Sequence, residues 1–438
     1  MSLSDLPKDL LEEILIKVPV RSIRTIRSIC KDWNTLSYDQ SFTKKLFGKT
    51  IATKDNESMV VLMMGCNVYL MSFNLFGIHK DDNNVGSSIM HKAKLNSLSD
   101  DLDYQVDNIS TVYHCDGLLL CITIVNKMNI RIVVWNPYIG QTRLIKPKNA
   151  YMIGDRYALG YEEKSNSPRI HKILRFNNEK IRNTNRIYEF EIYNLYFDSW
   201  KVFNLTLDLE IFVFQCGVSL QGNTYWLARE RFGHRLPMPF HSYSEDTVNL
   251  SSVREEKLAL LLKRSFILWR IEIWVTTKIE PQELTWNKFF DVNMEPLTHP
   301  TVNPNSFFID EKKNVVVVFD VDKYNVKPKL AYIIGKDGYV KEVDLGETRC
   351  KSYCGYPLVC SYVPSLVQVK KVARAEQCNS SMTYFFGKHK GLIGLVLIVV
   401  VFWRRDPVRN AVGASAEIRC RSTPRVGVAR HQRFIARG

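Results

Sequence analysis

Short apolar runs broken by turn residues fill most of this chain, and they restrict what it can fold into. Between about Thr50 and Leu366, β-branched and aromatic segments alternate with Gly, Asn, Asp and Pro. Turn pairs stand at Asp116-Gly117, Gly222-Asn223 and Asp337-Gly338, a pattern typical of strands joined by tight turns. No glycine-rich βαβ signature lies among them, which argues against a parallel doubly wound sheet. We expect strands at 60–64, 118–125, 130–135, 187–195, 224–227, 271–277, 314–320 and 330–335.

This many short strands would suit a sandwich, a barrel or a propeller. Tryptophans recur after strand pairs, at Trp135-Asn136-Pro137, Ser199-Trp200-Lys201 and Thr285-Trp286-Asn287. Propeller blades of about 40–50 residues carry aromatic punctuation of this kind, and the region would hold about six of them. The same tryptophans would also fit a sandwich core, and their spacing is too uneven to count blades.

The N-terminus has a helical pattern instead. Pro7 suits a first helical turn, and Pro19 ends the helix. Leu10 and Ile16 lie off the main apolar stripe, so this helix has apolar residues on more than one face. This pattern indicates that the helix buries one apolar face against its own neighbours and another face against a second surface. The main stripe follows the i, i+3, i+4, i+7 spacing and consists of Leu11, Ile14, Leu15 and Val18.

The segment from Leu6 to Leu36 resembles the F-box, a three-helix domain that docks on the Skp-type adaptor of SCF ubiquitin ligases. It has Leu6-Pro7, then Val18–Ser22, then Cys30–Trp33, in the family's order and spacing. Arg24-Thr25 stands where plant F-boxes of this type commonly have Leu-Arg. The alternative is an ordinary amphipathic helical hairpin that caps the next domain. The resemblance implies an F-box over residues 1–46, with adaptor contacts from Leu6, Pro7, Leu10, Ile14, Leu15, Val18, Pro19, Cys30 and Trp33.

The body, residues 50–366, resembles the plant F-box-associated interaction domain of type 1. Its most diagnostic run is Gly217–Ala228. The resemblance implies a kelch-like β-propeller that recognises a protein, but it implies no particular target. Further matching pieces are Trp135-Asn136-Pro137, Leu159-Gly160-Tyr161, His171–Phe176, Glu191-Ile192-Tyr193, Ser199-Trp200-Lys201, Arg254–Leu258, Glu272–Ile279 and Trp286–Phe289.

Most of the net charge of +15 belongs to the tail, residues 367–438. Fourteen basic and three acidic residues follow Leu366, so the tail carries +11 and the rest of the chain +4. Scattered charges favour a solvated, disordered tail over a nucleic-acid patch, and we expect no specific nucleic-acid partner.

The tail also contains an apolar run at 391–403, bounded by Lys388–Lys390 and Arg404-Arg405. As a helix it would reach about 20 Å, against about 30 Å of membrane hydrocarbon. Three interpretations stay open: a short membrane-associating segment, a strand or buried helix that docks on the body, or an appended sequence with no evolved role.

Sites for catalysis, metals or cofactors are not indicated. Cys350, Cys354 and Cys360 cluster, but they form no CxxC pair. His114 beside Cys115 is interpreted as a strand-edge residue, not as half of a catalytic pair. No secretory signal is recognised, so we expect free thiols and a location in the cytoplasm or nucleus.

The sequence thus predicts a multidomain, mainly β chain: a three-helix F-box, a β-propeller-like domain and a basic tail. The expected function is non-catalytic, with no cofactor. The chain would recruit an unknown target protein to an SCF ubiquitin ligase, binding a Skp-type adaptor and, through it, a cullin scaffold. The alternative is an interaction or regulatory protein outside the ligase, and an enzyme on the propeller's central face is a weaker third.

Overall fold

A computed structural model describes the parts of the chain that form regular elements and their connections. The described residues are 8–17, 57–64, 67–74, 89–94, 109–126, 129–148, 155–163, 169–182, 185–207, 209–211, 216–230, 238–242, 245–265, 267, 270–280, 283–294, 304–320, 330–336, 338–345, 358–369, 383–384 and 395–401. All of them lie in the first of two compact units, Met1–Arg405; the second is Asp406–Gly438.

One helix and twenty-five strands are present in these residues. They are α1 (Lys8–Lys17), β1 (Glu57–Met64), β2 (Asn67–Asn74), β3 (Ile89–Lys94), β4 (Ile109–Cys115), β5 (Leu118–Asn126), β6 (Asn129–Asn136), β7 (Gln141–Ile145), β8 (Arg156–Glu162), β9 (Ile170–Arg182), β10 (Asn185–Asn194), β11 (Ser199–Leu207), β12 (Leu209–Ile211), β13 (Val218–Leu220), β14 (Asn223–Glu230), β15 (Thr247–Val253), β16 (Lys257–Lys263), β17 (Arg270–Glu280), β18 (Glu283–Asn293), β19 (Pro304–Asp310), β20 (Val315–Asp320), β21 (Leu330–Gly335), β22 (Val340–Asp344), β23 (Leu358–Ser361), β24 (Thr383–Tyr384) and β25 (Leu395–Val401).

The strands form six antiparallel sheets arranged as the blades of a propeller. In chain order the blades are β23-β1-β2-β3, β4 to β7, β8 to β11, the sheet around β14, β15 to β18, and β19 to β22. The inner strands β4, β8, β13, β15, β19 and β23 contact one another in sequence, and β23 contacts β4 again. The six sheets therefore surround one axis. This confirms the predicted mainly β, propeller-type body and gives the blade count that the sequence left open.

The ring is closed by the end of the body. β23 pairs with β1, so that Val60 lies opposite Ser361. The following residues run onto the second blade, where Asn136 Nδ2 donates hydrogen bonds to the carbonyl oxygens of Ser365 (3.0 Å) and Val367 (2.8 Å). Val369 is buried in the core of that blade. The body thus continues three residues past the predicted boundary at 366.

Blades pack face to face, and this explains why their central strands are apolar on both sides. In β20, Val316 and Val318 belong to the core shared with the fifth blade. Val315, Val317 and Phe319 belong to the core shared with the first. A strand enclosed between two layers needs no polar face, so its sequence is a continuous apolar run. The predicted strands all lie within the observed ones to within a residue at either end.

Two of the three predicted turns lie within the described residues, one of them shifted by a residue; in the third, Asp337 lies outside the described residues. Asp116 and Gly117 have φ of 53° and 72°, as a two-residue hairpin turn requires. The second turn uses Gln221 and Gly222, φ 49° and 80°, not Gly222-Asn223, because Asn223 already begins β14. A Cβ on Gly222 would lie 2.4 Å from the carbonyl oxygen of Tyr161, so only glycine fits there.

The predictions for the two ends of the chain concern the three-helix F-box and the apolar run of the tail. Of the expected three-helix F-box, α1 is described, and the other two helices fall outside the described residues. The apolar run of the tail contributes β25, which pairs with β14, in agreement with the docked-strand interpretation. Within the described residues, no helix is long and apolar enough to cross a membrane.

Candidate functional site

The helix α1 presents an apolar face that the protein leaves exposed. Leu10 and Ile14 have 49% and 39% of their surface exposed, whereas Leu11 and Leu15 are buried. Leu10 and Ile14 are four residues apart, so they lie one above the other on the same face. Large apolar side chains on one helix face are a common means of docking on a partner protein.

This arrangement divides the residues predicted to contact the adaptor. Leu10 and Ile14 are accessible, and Ile14 shares a face with Leu10 although the sequence placed it on the stripe of Leu11 and Leu15. Leu15, 2% exposed, supports the helix from the inside. Leu6, Pro7, Val18, Pro19, Cys30 and Trp33 lie outside the described residues.

A second set of polar side chains converges at one end of the propeller axis. At this end, tight turns join each inner strand to the second strand of its blade. The β4–β5 turn of the second blade and the β15–β16 turn of the fifth blade meet the start of β9. Arg169 Nη1 donates to Asp116 Oδ1 (2.7 Å), and His171 Nε2 donates to Asp116 Oδ2 (2.9 Å). The backbone N–H of Asp116 donates to Glu255 Oε1 (2.8 Å). We call Asp116, Arg169, His171, Glu255 and His114 the axial cluster.

His114 completes the cluster from the inner strand β4. Its Nε2 lies 3.3 Å from Glu255 Oε1, and its ring stands 5.2 Å from that of Tyr362. Burial lowers the pKa of His114 to about 4, so the imidazole is neutral at physiological pH. The sequence analysis interprets His114 as a strand-edge residue. In the structure it lies on β4, which is the edge strand of its sheet, and its side chain is buried.

The two carboxyl groups of the cluster are held in different protonation states. Burial, and then the charge of Asp116, raises the pKa of Glu255 to about 8. Burial alone would raise the pKa of Asp116 as well, but the hydrogen bond and charge of His171, with Arg169, lower it below its usual value. At neutral pH Asp116 is thus ionised and Glu255 largely protonated.

This difference predicts a pH-dependent stability. Folded Glu255 binds its proton up to about pH 8, whereas the unfolded chain releases it near the ordinary value of 4.5. The folded state therefore binds more protons between these values, and Glu255 costs stability as pH rises through that window. We expect Glu255→Gln to gain stability over wild type with rising pH, by up to about 1.4 kcal/mol per pH unit. Urea unfolding at several pH values measures this gain.

The matched control is Glu256→Gln, because Glu256 is exposed in the same turn. Its pH profile should follow that of wild type. A constant difference between Glu255→Gln and wild type from pH 5 to pH 8 would contradict the proposed protonation state.

Around the axial cluster, the same end of the propeller exposes charges of both signs. Lys257 Nζ lies 2.8 Å from Glu311 Oε1, and Arg254 Nη2 lies 3.8 Å from Asp310 Oδ1. The side chains of Arg254 and Lys257 are about two-fifths exposed, at 41% and 40%. A rigid, mixed-charge surface made of turns can contact polar groups of another protein.

Two further observations describe the chemistry around the cluster. Burial raises the pKa of Cys115, next to His114, well above its ordinary value, so this thiol is not a nucleophile. In the part of the chain that the structure describes, no group of three or more His, Cys, Asp or Glu side chains could hold a metal ion. Sequence reasoning identified Asp116 only as a turn residue and missed Arg169 and Glu255. Glu255 follows β15, whose sequence TVNLSSV contains no apolar run that would mark the turn.

Comparison with known proteins matches both parts of the chain. The family model described as the F-box domain matches residues 3–45, and that described as the F-box associated beta propeller domain matches residues 59–369. The Arabidopsis thaliana F-box proteins At5g36730 and At5g36820 are each 54% identical over 401 residues, covering 85% of this chain and 95% of the relative. The F-box/kelch-repeat protein At3g16740 from the same plant is 48% identical over 408 residues, covering 84% of this chain and 100% of the relative.

Proposed function

This chain belongs to the F-box proteins that carry an F-box-associated β-propeller domain, and we propose that it acts in an SCF ubiquitin ligase. F-box proteins in general are non-catalytic substrate-recognition adaptors of SCF ubiquitin ligases, and they bind a Skp-type adaptor. For this chain the proposal is that the F-box binds that adaptor, and through it a cullin scaffold. The propeller binds a target protein, which is then ubiquitinated.

One observation carries the proposal for the N-terminal part. Within the segment that matches the F-box, Leu10 and Ile14 form an exposed apolar face while Leu11 and Leu15 are buried. A helix anchored on one side and apolar on the other is suited to dock on a second protein. Leu15 would act by holding the helix in place.

The mechanism is one of proximity. Holding target lysines near a charged ubiquitin-conjugating enzyme raises their effective concentration, so the chain needs no reacting group of its own. For the target, we propose the end of the propeller around the axial cluster, because turns on a rigid scaffold commonly carry recognition. The exposed Arg254 and Lys257 support this choice.

We also propose a location in the cytoplasm or nucleus. Cys115, Cys121, Cys216 and Cys360 are free thiols, which is the usual state in a reducing compartment.

Reconstitution tests the ligase function. The full chain and a purified Skp-type adaptor should elute together from a sizing column as a one-to-one complex. Adding cullin, ring subunit and conjugating enzyme should then give ubiquitin transfer to proteins that the chain captures from plant extract. Failure to form the complex with any adaptor of the source plant would contradict the proposal and favour an interaction protein outside the ligase.

A further inference from the structure

The fourth blade is built differently from the other five. β12 and β13 both pair with the same edge of β14, at 228–230 and 223–225 respectively. The chain then enters the fifth blade at Thr247. Among the described residues, the body therefore supplies two strand positions here, whereas every other blade receives at least three consecutive strands. The outer two positions are occupied by β25 and β24, from beyond the body.

The alignment with relatives is consistent with this shortage. The match to At5g36730 runs over 401 residues, yet it covers 85% of this 438-residue chain, which is about 372 residues. The relative thus has residues within the matched span that this chain lacks. In the part of the chain that the structure describes, the fourth blade is the one to which the body supplies two strand positions.

Apolar side chains of the fifth blade extend past β14. Tyr225 and Leu227 of β14 share a core with Leu284, on the outermost strand β18, which is 4% exposed. Trp274 and Trp286, also on the outer strands, pack against the same core. Met238 and Phe240, which follow β14 in the chain, pack against this core from one place, and a further strand next to β14 would exclude water from more of it.

The third blade encloses the fourth from the other side. Trp226 of β14 packs edge-on against Phe176, with ring centroids 5.3 Å apart, and Phe176 stacks on Phe190 at 5.3 Å. Both faces of β14 are therefore covered, and its remaining exposed feature would be its outer backbone edge. Such an edge recruits strands, from the same chain or from others.

We propose that the outer edge of β14 is a strand-addition site, and that its occupant is the C-terminal segment Leu395–Val401 of the same molecule. The apolar run of the tail then supplies the third strand of the fourth blade, a position that the described residues of the body leave unfilled. The register places Ala228 opposite Val396, Trp226 opposite Ile398 and Thr224 opposite Val400. This inference does not depend on the ligase function.

Cross-linking in the full chain tests the proposal. Residues opposite each other on paired strands lie within the distance that a disulfide spans. Ala228→Cys combined with Val396→Cys should form an intramolecular disulfide under mild oxidation, identified by mass spectrometry of the linked peptides. The control combines Ala228→Cys with Val401→Cys, which lies about 17 Å further along the strand and should not cross-link.

Hydrogen exchange gives a second measurement. Ile398→Pro removes a backbone donor and hinders pairing, so the amides of β14 that face β25 should exchange at least about tenfold faster. Ser415→Pro, beyond β25, should leave their exchange unchanged.

Three results would overturn the inference. The first is no cross-link together with unchanged β14 exchange in Ile398→Pro. The second is a cross-link found only between two molecules, which would make a second copy the occupant. The third is a cross-link that fails to form when oxidation is carried out on the chain bound to phosphatidylcholine vesicles, which would assign the apolar run to a membrane.

Discussion

Replacing Leu10 and Ile14 together by lysine should weaken the binding of a purified Skp-type adaptor by at least about tenfold. Fully burying one such side chain contributes about 1.5–3 kcal/mol, and the two side chains have 49% and 39% of their surface left to bury. Together they contribute about 1.3–2.6 kcal/mol, and each 1.4 kcal/mol is a factor of ten. Buried lysines add a desolvation cost. The fold should persist, because both side chains are exposed in the protein. Calorimetric titration of the variant with the adaptor measures the loss.

A matched control exists on the propeller. Leu144 and Val202 lie on outer strands and are 43% and 37% exposed. Leu144→Lys with Val202→Lys removes similar apolar surface and adds the same charge, and it should leave adaptor affinity within about twofold of wild type, as for substitutions outside an interface. Equal weakening by the two double variants would refute the assignment of the exposed face of α1.

Arg175→Met should lower the free energy of unfolding by about 3–5 kcal/mol, the usual cost of breaking a buried ion pair. Arg175 lies on β9 and contacts two carboxylates: Nη1 is 2.8 Å from Glu191 Oε2, and Nη2 is 2.7 Å from Asp155 Oδ2. The side chains of Glu191 and Asp155 are fully buried, and that of Arg175 is 7% exposed. Methionine fills much of the volume, but it leaves two buried carboxylates without the guanidinium.

The exposed pair of Arg270 and Asp291 provides the control. Arg270 Nε and Nη2 each donate to an Asp291 carboxylate oxygen at 2.6 Å, yet the Arg270 side chain is 44% exposed. Because solvent screens such a pair, Arg270→Met should leave the free energy of unfolding close to that of wild type. Urea unfolding of both variants measures the difference. If the two substitutions cost the same, burial is not what makes the Arg175 site important.

Local sequence patterns were sufficient for the strands and most turns. The run at β20 was recognisable because a strand between two packed blades is apolar throughout, and Asp116-Gly117 because both residues adopt positive φ. The shifted turn at Gln221-Gly222 shows the limit of such reasoning. Its place is fixed by Gly222 against the carbonyl oxygen of Tyr161, in the neighbouring blade.

The axial cluster could not have been predicted in the same way. Asp116 and Glu255 are joined by a hydrogen bond across 139 positions of sequence, and no local pattern links them. The division of α1 into a buried and an exposed face was predicted only in part, because helical spacing shows which residues share a face but not which face the protein covers.

By itself, the sequence determined the class of each segment: a helical F-box, a strand-rich body and a basic tail. These follow from periodicity and turn chemistry, which depend on residues close together in the chain. Only the tertiary structure decided the closure of six blades by β23, the meeting of Asp116 with Glu255, and the pairing of β25 with β14. Each joins residues more than a hundred positions apart, and such contacts form only once the intervening blades have packed and brought the two segments together.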